Sequence, residues 1–158
     1  MTDSEPRETE SEELAQVVDL LGGYRVFRHR LRNPIDVHEA LVQGIPGAAL
    51  VHLIDNLVAI DDPASIEKAT GMSLRTLQRH KVAPAKRLSR QQSGRAWKFA
   101  EILAKATSVL GSKQEAEQWL ERPAIGLDQR RPIDLLATSA GVEIVEEHLE
   151  RLEHGVYA

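Results

Sequence analysis

Apolar residues recur at three- and four-residue spacing along most of this chain, and Pro and Gly cut that pattern into separate helices. Leu14, Val17, Val18 and Leu21 form the first stripe, which predicts a helix from Ser11 until Gly22-Gly23 stops it. Tyr24 to Arg32 mixes Tyr24, Val26 and Phe27 with Arg and His and supports no assignment. Asn33-Pro34 is a cap followed by the residue best tolerated at the first helical position, and Val37, Leu41 and Gly44 complete a second helix. Pro46 opens a third, with Leu50, Val51, Ile54 and Leu57 on one stripe before Asp61-Asp62. Asp62 caps a very short helix through Ile66 to about Ala69, stopped at Thr70-Gly71-Met72.

Ser73 is a good N-cap for the next helix, where Leu74 and Leu77 share one face. Ser89 with Gln92 forms a capping box at the head of the longest pattern, through Trp97, Ala100, Ile102, Leu103, Ala106, Val109 and Leu110, about 30 Å of helix. Gly111 ends it, and Ser112 with Glu115 forms another capping box before Ala116, Trp119 and Leu120 point inward. Pro132 starts a short helix from Ile133 to about Leu136. Ser139-Ala140-Gly141 is expected to be the last turn, before a final helix with Ile144, Val145, Leu149 and Leu152 inward. The expected architecture is all-α: a helix-turn-helix part joined by a long helix to a small C-terminal helical domain. Boundaries fall at 1–12 for a disordered acidic arm, 13–88 for a DNA-binding and dimerisation domain, and 89–158 for the terminal domain.

Composition agrees with helices on helices, since 42% of residues are hydrophobic and only 4% aromatic. Cysteine is absent, which removes disulfides and thiolate metal sites. No run approaches the roughly 20 apolar residues of a membrane helix, and MTDSEPRETESEE lacks the apolar centre of a signal peptide, so a cytoplasmic location is expected. Charge changes the picture more. Lys68 to Ala100 holds nine Lys or Arg and no Asp or Glu, which leaves −13 for the rest of a chain whose total is −4. Such a field draws phosphate to one face and repels it elsewhere; a merely solvated basic face is the plainer alternative.

Within that basic stretch, Gly71 in a tight turn precedes a helix offering Arg, Thr and Gln, which is what major-groove reading requires. Arg donates bidentately to guanine and Gln to adenine. The helix-turn-helix spans about 63–81, and Ser73, Arg75, Thr76, Gln78, Arg79 and Lys81 are the candidate DNA-binding residues. Trp97 and Phe99 read as core anchors ahead of base-stacking groups. His148 and His154 share a predicted helix with Glu147 and Glu150, yet a six-residue offset sets the histidines on different faces, so a solvated polar face outweighs a metal site. With no Cys nucleophile, Gly-rich phosphate loop or nucleophile-elbow serine, the chain is expected to be no enzyme and to need no cofactor.

Leu110-Gly111, Ala116, Trp119-Leu120, Pro123, Leu127, Pro132, Leu135-Leu136, Gly141, Val145, Leu149 and Gly155-Val156 resemble the toxin-binding domain of Xre/MbcA/ParS-type antitoxins, with Leu88, Ser93 and Arg95 as its lead-in. Asp128-Gln129 stand where that family usually has a glycine-bearing turn, and Leu110 replaces a common Phe. The resemblance implies a dual role: neutralising a RES-domain toxin that consumes NAD or uses it for ADP-ribosylation, and binding operator DNA as a homodimer, an autorepressor within a larger toxin–antitoxin complex. It places toxin contacts at Glu150, His154, Gly155, Val156, Tyr157 and Ala158, with the Ala158 carboxylate and Tyr157 filling a cationic pocket meant for NAD. A free-standing regulator whose terminal unit only dimerises is the alternative.

Overall fold

The computed structural model describes residues 5–155. Ten α-helices run through them in chain order: α1 (Glu5–Leu20), α2 (Tyr24–Phe27), α3 (Pro34–Gln43), α4 (Gly47–Asp55), α5 (Pro63–Thr70), α6 (Leu74–Val82), α7 (Arg90–Leu110), α8 (Lys113–Glu121), α9 (Pro132–Leu135) and α10 (Ser139–Glu153). A 3₁₀ turn, Ile125–Leu127, lies between α8 and α9. Strand-like pairing among the described residues is limited to two isolated bridges, Pro46 with Arg87 and Ala124 with Arg130. The fold is all-α, as the periodicity predicts.

Helix α7 is the axis on which the rest packs. Its 21 residues begin at a full capping box, in which Ser89 and Gln92 satisfy each other's backbone N–H, and end at Gly111 in the left-handed conformation. Ala96, Trp97, Phe99, Ala100, Ile102, Leu103 and Ala106 are all buried along it. Helices α1, α3, α5, α8 and α10 lie against it. One continuous apolar core therefore joins Leu50 and Leu53 of α4 to Val145 and Leu149 of α10. Each such side chain removed from water contributes on the order of 2 kcal/mol, so the halves before and after α7 stabilise one another.

Helix boundaries depart from the periodicity where tertiary partners take over. Helix α1 starts at Glu5, inside the stretch 1–12 expected as a disordered arm, and residues 1–4 lie outside the described residues. Helix α4 stops at Asp55, well short of Asp61, because the N–H groups of Val58, Ala59 and Ile60 turn toward a carboxylate instead. Pro46 brings α4 no capping side chain; the carbonyls of Lys86 and Pro84 accept from Gly47 and Ala48 at 2.8 and 3.0 Å. Tyr24–Phe27, unassigned from sequence, is a single helical turn with Phe27 buried.

Ser139-Ala140-Gly141 is not a turn but the start of α10, capped by Thr138 Oγ1, which accepts from Gly141 N–H at 3.0 Å. Gly141 is there for closeness, since a Cβ on it would stand 1.9 Å from the Leu135 carbonyl oxygen. Ser112 caps α8 by accepting from Glu115 N–H at 3.1 Å, without the reciprocal half of the expected capping box.

Candidate functional site

The approach to α6 is fixed by groups on both sides of the turn. Gly71 takes φ +74, and a Cβ there would come within 2.8 Å of the Arg95 guanidinium. That guanidinium donates to the Lys68 carbonyl at 2.7 Å, holding the end of α5. Thr70 Oγ1 donates to the Ile66 carbonyl and accepts from Met72 N–H, which satisfies the turn's polar groups beneath the surface. Ser73 then accepts from Thr76 N–H at 3.3 Å, and the two hydroxyls lie 3.2 Å apart.

On α6 the exposed residues Arg75, Gln78 and Arg79 sit on the strip opposite buried Leu77 and His80. Thus Arg75, Gln78, Arg79 and Lys81 of the six predicted residues are exposed, the first three outside any ion pair among the described residues. Ser73 and Thr76 are half-buried and engaged with each other, and Lys81 pairs with Asp55 at 3.0 Å. Leu74 is a correction: expected to share the apolar face with Leu77, it is 51% exposed, because the N-terminal end of α6 projects beyond the core. His80 packs in contact with the Gly47 backbone, and burial, aided by the Lys86 ammonium, holds its imidazole below the ordinary 6.5.

Much of the basic stretch is spent on structure. Lys68 pairs with Asp134, Lys81 with Asp55, and Lys98 with Glu101 and Glu146, while Arg87 donates to the Gly44 carbonyl and Arg95 to that of Lys68. Arg75, Arg79, Lys86 and Arg90 keep exposed charges outside the ion pairs of the described residues. A count of cations in sequence overstates the cationic surface of this stretch.

The C-terminal unit is fastened to the helix-turn-helix half by long-range polar contacts that no local pattern predicts. Glu117 of α8 is fully buried, and its carboxylate accepts from Val58, Ala59 and Ile60 N–H at 2.9 to 3.1 Å. Ser65 donates to Glu121 at 2.9 Å, and Lys113 donates to the Asn56 carbonyl. Asp134 receives Arg131 at 2.8 and 3.0 Å and Lys68 at 2.8 Å; the Arg131 guanidinium foremost holds its carboxyl down at about 2.

Between α8 and α9 the chain forms a tight hairpin in which Gln129 N–H donates to the Ala124 carbonyl and Ala124 N–H to that of Arg130. Asp128 and Gln129 both take left-handed φ, 56 and 61, and Ile125 stands 81% exposed beside them. On α10, His148 is buried and stacks on Trp119 with ring centroids 5.9 Å apart, whereas His154 is exposed at the helix end. No group of three His, Cys, Asp or Glu is placed to hold a metal among the described residues.

Glu150 faces solvent on the wall of a groove of about 780 Å³ between α1, α3, α7 and α10, floored in part by Val17, Trp97 and Ile102. Gly155 follows α10 with φ +72. Of the predicted toxin contacts, Val156, Tyr157 and Ala158 lie outside the described residues. Ile144 is 47% exposed, on the flank of the predicted α10 stripe instead of inside it.

Residues 36–101 match the antitoxin Xre-like helix-turn-helix domain, and residues 105–155 the antitoxin Xre/MbcA/ParS C-terminal toxin-binding domain. A protein named antitoxin Xre from Yersinia enterocolitica is 34% identical over 137 residues, 85% of this chain and 92% of that protein. The chain belongs to the Xre/MbcA/ParS-type antitoxins. Antitoxins Xre from Pseudomonas putida and Photorhabdus laumondii are each 28% identical, over 84% and 73% of this chain and 86% and 77% of their own lengths. This family consists of antitoxins with a helix-turn-helix, not of enzymes. The two domain matches of this Xre-type antitoxin meet between residues 101 and 105, inside α7, so the central helix belongs to both. No helix among the described residues is long and apolar enough to cross a membrane.

Proposed function

We propose that this chain is a cytoplasmic antitoxin that neutralises a RES-domain, NAD-consuming toxin and, as a homodimer, represses its own operator. The observation that carries the DNA half is the solvent-facing strip of Arg75, Gln78 and Arg79 on a helix whose approach is fixed by Gly71 and Arg95. Two guanidiniums and an amide on one exposed strip suit base edges in the major groove. Ser73 and Thr76 hold the head of that helix through their mutual contact.

For the toxin half, α10 brings Glu150 and His154 to the surface, and Gly155, with φ +72, follows its last turn; the next residues in sequence are Val156, Tyr157 and Ala158. That segment enters the toxin's active site and blocks NAD, so inhibition is by occlusion. Neutralisation is read as growth and cellular NAD when the chain is co-expressed with the toxin of the adjacent gene. Deleting Val156–Ala158 should abolish protection while the protein remains folded. Full protection by the truncated chain would overturn occlusion, and protection without any change in NAD would overturn the assignment of the toxin.

A further inference from the structure

We propose that the segment Tyr24–Arg32 is a second DNA contact, a clamp on backbone phosphates beside the helix-turn-helix. It lies outside both family matches, which begin at residue 36. It reads YRVFRHRLR, with Arg25, Arg28, Arg30, Arg32 and His29 and no carboxylate. The proposal rests on the reading that α6 faces DNA.

The segment is held by its apolar residues and leaves its cations outside. Phe27 is buried, and α2 packs on α4. Arg25, Arg28, His29 and Arg30 are exposed, and none of them enters an ion pair among the described residues. Arg28 is fixed in the left-handed conformation at φ 66, with its N–H donated to the Tyr24 carbonyl, so the turn is held in place by its backbone.

The same strip of α4 connects this segment to the recognition helix. At one end His52 meets Gly22, where an added Cβ would lie 3.6 Å from the His52 Cβ. One helical turn further on, Asp55 pairs with Lys81 of α6 at 3.0 Å. The chain entering the basic segment and helix α6 thus meet one strip of α4 about a helical turn apart. Arg32 lines the groove beside α1 instead, so the clamp consists of Arg25, Arg28 and Arg30.

Charge supplies the choice of ligand. With much of the Lys68–Ala100 stretch tied into the fold, Arg25, Arg28 and Arg30 add three exposed guanidiniums to Arg75, Arg79, Lys86 and Arg90, the exposed cations that the stretch keeps outside ion pairs and carbonyl contacts. Sequence-independent phosphate contacts of this kind set orientation and affinity while base contacts set specificity. Duplex DNA is favoured over an acidic protein because the segment and α6 pack on the same helix, α4.

The test uses the full chain with two duplexes of equal length, one from immediately upstream of its own gene and one of random sequence, over a range of salt. Changing Arg25, Arg28 and Arg30 together to Ala should weaken both complexes by the same factor. The slope of log affinity against log salt should fall by about 2 to 3, the number of phosphates released. The triple Lys variant should stay near the wild type, which excludes misfolding as the cause. If the Ala triple keeps wild-type affinity and slope while Arg79→Ala loses preference for the upstream duplex, the clamp is wrong and the α6 reading stands. If the wild type binds neither duplex, both fall. If the Ala triple loses only toxin capture, the surface serves an acidic protein and the clamp is overturned.

Discussion

Helices α6 and α8 look alike in sequence and do opposite things. Each has nine residues, and each is capped by a serine that accepts from the N–H three residues on, Ser73 from Thr76 and Ser112 from Glu115. Each alternates charged residues with a few apolar anchors. In α6 the polar strip opposite Leu77 is left in water, as an interface with nucleic acid requires. In α8 the carboxylate of Glu117 lies at zero exposure between Ala116 and Leu120, with three backbone N–H donors from the loop after α4. A polar residue on an amphipathic helix is therefore not surface by default. Its role is decided by what the rest of the chain brings to it.

The largest effect should come from breaking that contrast at Glu117. Removing a buried carboxylate strands three N–H groups and opens a cavity, which costs about 3–5 kcal/mol for Glu117→Ala. Glu117→Gln keeps one acceptor oxygen and should cost less. Gln78→Ala on α6 should change stability by no more than about 0.5 kcal/mol. Urea unfolding monitored through Trp97 and Trp119 measures all three, and equal costs at positions 117 and 78 would erase the difference between the helices.

What was legible in the sequence follows the same division. Local signals sufficed for Asn33-Pro34, Asp62-Pro63, Ser89 with Gln92 and the glycines at 71 and 111, because a cap or a left-handed stop is decided within a few residues. The strip of Arg75, Gln78 and Arg79 was legible for the same reason. The contacts of Glu117, Arg95 and Ser93 were not, since their partners lie far away in sequence: Glu117 holds the Val58–Ile60 loop, Arg95 the Lys68 carbonyl, and Ser93 accepts from Ile45 N–H at 2.9 Å in the core. Long-range polar contacts have no period and leave no local trace. Leu74 and Ile144 mark the converse error, apolar residues at inward-looking spacing that lie at the edge of their helices' packed faces.

A second effect sharpens the α6 side. Arg79→Ala should leave unfolding unchanged, because Arg79 is exposed and outside the ion pairs of the described residues. It should cost about 1–3 kcal/mol of discrimination between operator and random duplex. Equal loss on both duplexes would make Arg79 a backbone contact and move base reading to Arg75 and Gln78.

Acid should act on both halves through their buried histidines. His80 on the buried face of α6 and His148 against Trp119 are each held below the ordinary 6.5, foremost by burial, with Lys86 and Arg151 adding to it. The unfolded chain then binds more protons than the folded one as pH drops through that value, so their stabilisation is complete above about 6.5 and declines below it. Asp134, held at about 2, contributes in full above its ordinary 3.8 and is lost only as pH falls from there toward 2. Thermal unfolding from pH 7.5 to 5 should show the first decline alone. A double His80→Gln, His148→Gln variant should flatten it, and an unaltered slope in that variant would place the titrating groups elsewhere.

The smallest effect concerns the hairpin after α8, where the family usually has glycine and this chain has Asp128-Gln129. Both residues adopt left-handed backbone, which Asp tolerates through its short polar side chain and Gln does not. Gln129 is exposed, and its N–H donates to the Ala124 carbonyl at 2.9 Å, so glycine can replace it without losing that bond or a buried contact. Relief of the positive φ outweighs the added freedom of the unfolded chain, and Gln129→Gly should gain about 0.5–1 kcal/mol. The gain should appear in urea unfolding and leave DNA affinity untouched, since the hairpin belongs to the half away from α6. A loss of toxin binding in the same variant would show instead that strain at Gln129, with Ile125 exposed beside it, is kept for the partner.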